Sequence, residues 1–349
     1  MGALQQTPSS LGYCMPAEWA QHEATYLSWP KNPETFPKKI IGKVEETYCK
    51  MIEALSQHEQ VKLLVDNEQE ELRVSKLLSS TGSKDSNLLF LRIPSVDVWI
   101  RDYGPTFLLN KKSGKKAAVD WIFNAWGAKY DDLMQDEDTG KHILDSLPNG
   151  THEFSPPIVM EGGSFDTNGD GLLLTTEQCL LNKNRNPSMG RQQIEQCLKD
   201  YLGVSRIIWL KEGIDGDDTD GHVDDFARFV GKKTVICAQE ENTSDPNHAT
   251  LEKNASLLRE SGLEVAALPM PSPLIDKEEG IRLPASYANF YIANKCVLLP
   301  VFGDKKDKQA TDIIASFFNG REIISIPARE LVYGFGGIHC VTQQEPKQE

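Results

Sequence analysis

The sequence predicts an α/β fold, on three observations. Short apolar runs of strand character alternate with longer stretches of helical spacing along the chain. No Pro/Gly/Ser-rich linker splits the 349 residues, so one domain over 1–349 is expected. Chemically capable residues also recur at loop-like positions. Asp102, Glu161, His222, Asn289 and Cys340 follow one another at intervals of 51 to 67 residues. Four similar steps between five stations suggest a repeated supersecondary unit around a centre.

The elements read as follows. Residues 24–29 (Ala-Thr-Tyr-Leu-Ser-Trp) form a strand and 39–55 a helix. Residues 61–65 are a strand, 68–78 a helix, and 88–93 a strand. Later strands are expected at 171–175, 205–210, 234–237, 263–268, 295–300 and 322–326. Helices are expected at 190–202, 249–261 and 308–318.

Composition narrows the function. Hydrophobic residues are 39% and charged residues 25%, ordinary for a globular protein. A net charge of −14 disfavours nucleic acid and anionic membranes as partners and favours a cationic small molecule. Seven irregularly spaced cysteines form no CxxC or zinc pattern and fit a reducing compartment. The start has no basic stretch before an apolar run, and Gln6 stands where a myristoylation motif needs Ser or Thr. A cytoplasmic location is the expectation.

Several segments carry chemistry. Residues 333–344, Tyr-Gly-Phe-Gly-Gly-Ile-His-Cys-Val-Thr-Gln-Gln, put Cys340 after a glycine-rich turn, as a nucleophile would be presented. A buried core cysteine is the plainer reading. Asp97-Val-Trp-Ile-Arg-Asp-Tyr-Gly-Pro105 sets Trp99 and Asp102 on a strand-end loop. Glu161 follows three apolar residues and precedes two glycines, so its carboxylate is expected to be buried beside a partner cation.

The segment 215–225 is densely acidic around His222, with Asp218, Asp220 and Asp224 close by. A histidine there suits proton transfer. His222 and Asp224 are expected to share one face of an extended segment. His339 adjoins Cys340 but would face the other way on a strand, which leaves His222 as the better base. No second histidine lies at a metal-ligand spacing and no HExxH is present. Residues 166–177 match the EF-hand calcium loop at each required position. Pro156-Pro157 and Gly162-Gly163 argue against an entering helix, and Asn168-Gly-Asp-Gly171 signals a hairpin instead.

A cysteine, a histidine and surplus carboxylates fit one substrate group best. Carboxylates cost energy beside an anionic intermediate, but they bind a planar guanidinium as bidentate partners.

Taken together, these motifs resemble the agmatine deiminases of the Porphyromonas-type peptidylarginine deiminase family, in the guanidino-modifying pentein superfamily. The resemblance rests on residues 12–19, 22–25, 28–30, 99–105, 120–127, 161–163, 174–177, 182–187, 221–224, 289–292 and 338–344. Gly337 departs from it, standing where family members often carry Asn. The resemblance implies a five-bladed pseudo-symmetric α/β propeller of ββαβ units. It implies hydrolysis of agmatine to N-carbamoylputrescine and ammonia, as in putrescine biosynthesis, without metal or organic cofactor. Cys340 would be the nucleophile and His222 the proton carrier. Glu161, Asp224 and Asp102 would hold the guanidinium, with Trp99, Trp121 or Trp126 as walls. The acidic run with Asp218 and Asp220 would take the far ammonium. Arginine or peptidylarginine as substrate, a calcium-binding module and a homo-oligomer stay open at this stage.

Overall fold

The computed structural model describes residues 6–80, 87–148 and 150–348; the Met1–Gly2 start lies outside the described residues. Five small sheets carry the fold. Four repeat one pattern, in which a strand pairs antiparallel with the next and a helix then leads to a third, parallel strand. They are Thr106–Asn110, Lys116–Val119 and His152–Phe154; Phe165–Thr167, Leu172–Thr176 and Arg206–Leu210; Ala227–Phe229, Thr234–Gln239 and Glu264–Pro269; and Tyr291–Ile292, Cys296–Val301 and Glu322–Pro327. The short strand Tyr13–Cys14 adds to the edge of the first.

The fifth sheet repeats the pattern with both ends of the chain. Gln343–Pro346 pairs antiparallel with His22–Ser28, which pairs parallel with Gln60–Val65 across the helix Ile41–Ser56. Leu88–Arg92 extends it. The repeat is therefore the ββαβ unit, and it closes through the C-terminal strand.

Local pattern explains the elements. In Ile41–Ser56, Val44, Tyr48, Met51, Ile52 and Leu55 recur at helical spacing and are all buried. Each of the side chains of Val44, Met51, Ile52 and Leu55 contributes about 1.5–3 kcal/mol on burial. The helix Pro246–Glu260 starts at Asp245, whose side chain accepts from Asn247 N, with proline at the first turn.

The expected strands and helices occur, with ends moved by up to three residues. The missed elements include the strands Thr106–Asn110 and Lys116–Val119 and the helix Glu137–Asp145, as well as the opening strands Ala227–Phe229 and Tyr291–Ile292, which leave too few residues for an alternation to show. The calcium-loop segment is a hairpin, with Phe165 paired to Thr175 and Thr167 to Leu173. Asn168 Oδ1 closes its turn by accepting from Asp170 N at 2.8 Å and Leu172 N at 2.9 Å. One local expectation fails: Val223–Asp225 is a single 3-10 turn, so His222 and Asp224 are not on one face of an extended segment.

Candidate active site

The five stations all stand at the same place in the repeat, within five residues before an opening strand. The ββαβ repeat thus brings Asp102, Glu161, His222, Asn289 and Cys340 to one centre. All five side chains are buried.

The turn that presents Cys340 is tied from several sides. Arg101 donates from its backbone N to Cys340 O at 3.2 Å and from its side chain to His339 O at 3.3 Å and Gln344 Oε1 at 2.7 Å. Thr342 Oγ1 donates to Ile338 O and His339 O, both at 3.0 Å. Asn289 Oδ1 accepts from His339 N at 2.8 Å. Asn289 Nδ2 donates to Asp225 Oδ1 at 2.9 Å and lies 3.2 Å from Cys340 Sγ. A Cβ at Gly337 would lie 2.4 Å from Asn289 Oδ1, so Asn289 holds this posture because residue 337 has no side chain.

His222 stands among carboxylates. Its Nδ1 is 3.8 Å from Asp102 Oδ1 and its Nε2 is 3.7 Å from Glu161 Oε2. Gly163 makes this approach possible, because a Cβ there would sit 2.6 Å from His222 Nδ1. Burial works against the imidazolium, but Asp102, Cys179 and Glu161 outweigh it and raise the His222 pKa well above the ordinary value. Burial raises the Asp102 carboxyl, with Asp224 and Glu161 adding to it. Asp102 accepts from Trp126 Nε1 and Gly163 N, both at 2.9 Å. Arg185 Nε donates to Glu161 Oε1 at 2.6 Å; with His222 it overcomes burial and keeps that carboxyl low.

Beneath the nucleophile runs a buried chain of charges. Glu18 Oε2 meets Arg228 and His339 Nε2, each at 2.7 Å, and His339 Nδ1 meets Asp224 Oδ2 at 2.6 Å. His339 therefore faces away from the cavity, though it sits in a turn and not on a strand. Asp224 is buried, yet His339 keeps its carboxyl low. Asp224 Oδ2 is 3.8 Å from Cys340 Sγ. Burial, then Asp224, Asp225 and Asp102, push the Cys340 thiol well above its usual range.

Among the described residues, no hydrogen-bond partner meets His222 Nδ1, His222 Nε2 or Asp224 Oδ1. Buried polar atoms are rarely left so. Here they converge beside the nucleophile, under a cavity of about 770 Å³. Trp99, Asp102, Trp126, Asp218 and Cys340 line that cavity, as do Tyr130, Tyr333 and Phe335. Among its described lining residues, seven are carboxylates and none is Lys or Arg.

Other candidates fall elsewhere. Asp220 is spent on Arg185 at 2.5 Å and Lys129 at 2.8 Å, which reach it from distant segments. It does not line the cavity, which corrects its expected role with the substrate. Asp217 builds the loop, accepting from Thr219, Gly221 and His222 backbone N–H groups. Trp121 is core: its Nε1 donates to Thr106 and its ring packs on Phe165 and Tyr201. Arg185, Cys179, Glu18 and Arg228 went unread as site residues. Glu18 lay inside the 12–19 motif and Arg185 inside the 182–187 motif; Cys179 and Arg228 gave no local signal.

Known proteins are similar to this chain over its whole length. Residues 14–346 match the family described as Porphyromonas-type peptidyl-arginine deiminase. A protein of Legionella pneumophila (strain Paris) named "Putative agmatine deiminase" is 39% identical over 350 residues, covering 99% of this chain and 98% of that protein. The agmatine deiminase of Enterococcus faecalis superposes with a TM-score of 0.89 at 31% identity, over 99% of both chains. A cysteine-to-serine agmatine deiminase from C. jejuni with substrate bound gives 0.87 at 30%, over 96% of this chain and 97% of that one. The chain belongs to the Porphyromonas-type peptidyl-arginine deiminase family.

Proposed function

We propose that the protein is an agmatine deiminase, hydrolysing agmatine to N-carbamoylputrescine and ammonia through an amidino-cysteine intermediate, as a single catalytic unit in a reducing compartment. The observation that carries this reading is the convergence of unmet buried polar atoms of His222 and Asp224 beside a carboxylate-lined cavity at Cys340 that has no Lys or Arg among its described lining residues. A guanidinium supplies the missing N–H donor to Asp224 Oδ1 and adds its charge beside Asp102, whose oxygens already accept from Trp126 and Gly163. It also offsets the carboxylates that hold Cys340 as a thiol, so substrate binding favours the thiolate.

The thiolate attacks the guanidinium carbon. Protonated His222 gives its proton to the departing nitrogen, which leaves as ammonia. Neutral His222 then takes a proton from the water that attacks the amidino carbon, and the C–S bond breaks to free the ureido product. One difficult substitution becomes two easier ones. Trp99 and Trp126 form the walls for the planar cation. The C. jejuni agmatine deiminase was captured with substrate bound in a cysteine-to-serine form, which supports a cysteine as the reactive group.

Agmatine is favoured over arginine because the cavity offers Asp97, Asp218, Asp276 and Glu279 and no cation for an α-carboxylate. Like-charge placement at a binding surface costs several kcal/mol, which predicts discrimination of roughly a hundredfold or more. Side-by-side kcat/KM values for agmatine, arginine and a blocked arginine peptide, read as ammonia and ureido product, test it. Equal values for agmatine and arginine would defeat this account of selectivity.

A further inference from the structure

Cys179 is a second buried thiol at the centre, and the reaction does not use it. A buried cysteine is most often apolar filler. This one points its sulfur at polar groups. Its Sγ is 3.8 Å from Glu161 Oε2, which in turn is 3.7 Å from His222 Nε2, and the three atoms lie within 4.8 Å of one another. Glu161 Oε2 is the oxygen that Arg185 leaves free, since Arg185 Nε bonds Oε1. His222 Nε2 has no hydrogen-bond partner among the described residues.

We propose that Glu161, Cys179 and His222 form an inhibitory site for a thiophilic divalent cation such as Zn²⁺. Carboxylate, thiolate and imidazole are the ordinary zinc donors. Tetrahedral zinc bonds of about 2.0–2.3 Å place such donors about 3.3–3.6 Å apart. Two of the three separations, 3.7 and 3.8 Å, need shifts of only a few tenths of an ångström, and the third, between Cys179 and His222, is within 4.8 Å and closes as the metal draws the two side chains together.

The donors are also held by their elements. Thr176 caps the helix Glu177–Leu180 by accepting from Cys179 N at 3.1 Å. The same hydroxyl donates to Gly221 O at 2.7 Å, tying Cys179 to the loop of His222. Three protein ligands leave a fourth position for water.

The inhibitory part rests on the reading of His222 as the proton carrier. A cation on Nε2 takes the lone pair that must accept and return a proton. Agmatine turnover therefore falls as Zn²⁺ is added and returns with EDTA.

The test uses the full chain with Zn²⁺ for inhibition and Co²⁺ as a spectroscopic probe. Wild type and Cys340→Ser should both show a cobalt–thiolate charge-transfer band. Cys179→Ser and Cys179→Ala should lose it, and two variants guard against a fold defect in either. Measured against its own metal-free rate, Cys179→Ser should need at least about a hundredfold more Zn²⁺ for half inhibition, since even an outer-shell partner changes metal affinity by 10–100-fold. A band that survives in both Cys179 variants, or one lost in Cys340→Ser, would overturn the proposal. So would unchanged Zn²⁺ sensitivity in Cys179→Ser, which would point to the neighbouring cluster of Asp224, Asp225 and Cys340. A Cys179-dependent band in a chain that does not turn over agmatine would uphold the metal site and reject the assigned reaction.

Discussion

At the residue scale the site is a proton-inventory problem. Cys340 is pushed up by burial and carboxylates, and His222 is pushed up by carboxylates despite burial. Near neutral pH, without a cation beside them, the pair is therefore a thiol and an imidazolium. Raised pKa values mean the protonated forms persist to higher pH. A bound cation reverses the effect on the thiol, because it favours the charged sulfur. The thiolate absorbance of the protein, corrected with Cys340→Ser, should titrate above the ordinary value of 9.0 and move down when guanidinium ion is added. A Cys340 already ionised at pH 7 without any guanidinium would refute this mode of activation. This much was visible in the residues themselves: Cys340 and His222 carry their chemistry in their type. The partners that set their state, Glu18 and Arg228 through His339 and Asp224, lie up to 321 residues away from His339 in the chain. The 12–19 motif holds Glu18 and the acidic run holds Asp224, but no local pattern could disclose that His339 joins them.

At the element scale, the calcium-loop match shows why context decides a motif. The helix-flanked loop it requires is replaced by the strands Phe165–Thr167 and Leu172–Thr176. Its acidic groups are already used. Asp166 Oδ2 accepts from Phe229 N at 2.6 Å, and Glu177 pairs with Arg191 and Lys211 at 2.5 and 2.7 Å. Neither calcium nor EDTA should shift the melting temperature or reduce turnover, measured by thermal unfolding and by ammonia release. EDTA inactivation reversed by calcium would reinstate the motif. Long elements such as Ile41–Ser56 and Pro246–Glu260 were legible because their apolar spacing runs over several turns. The acidic run 215–220 was misread in part because Lys129 and Arg185 arrive from other segments and neutralise Asp220.

At the scale of the whole molecule, the ring depends on its last strand. Glu345, buried on Gln343–Pro346, pairs with Lys116 of the first sheet and Lys62 of the fifth. The two lysines hold its carboxyl low, so this contribution is present above the usual carboxylate range and is lost as pH falls through the lowered value. Glu345→Ala leaves the largely buried Lys62 ammonium with only Tyr26 Oη and the buried Lys116 ammonium with only the part-exposed Glu23. Breaking a buried pair costs about 3–5 kcal/mol. Denaturant unfolding at neutral pH should show a loss of that order, and a change within error would exclude the pair as the fastener of the ring. The same strand closes the turn that presents Cys340, so assembly and chemistry share one segment. The most direct test of the account is peptide mapping by mass spectrometry of the enzyme quenched during agmatine turnover. The account predicts one adduct, equal in mass to agmatine less ammonia, on the peptide that carries Cys340. The same adduct on any other cysteine, or full turnover with Cys340 unmodified throughout, would contradict it.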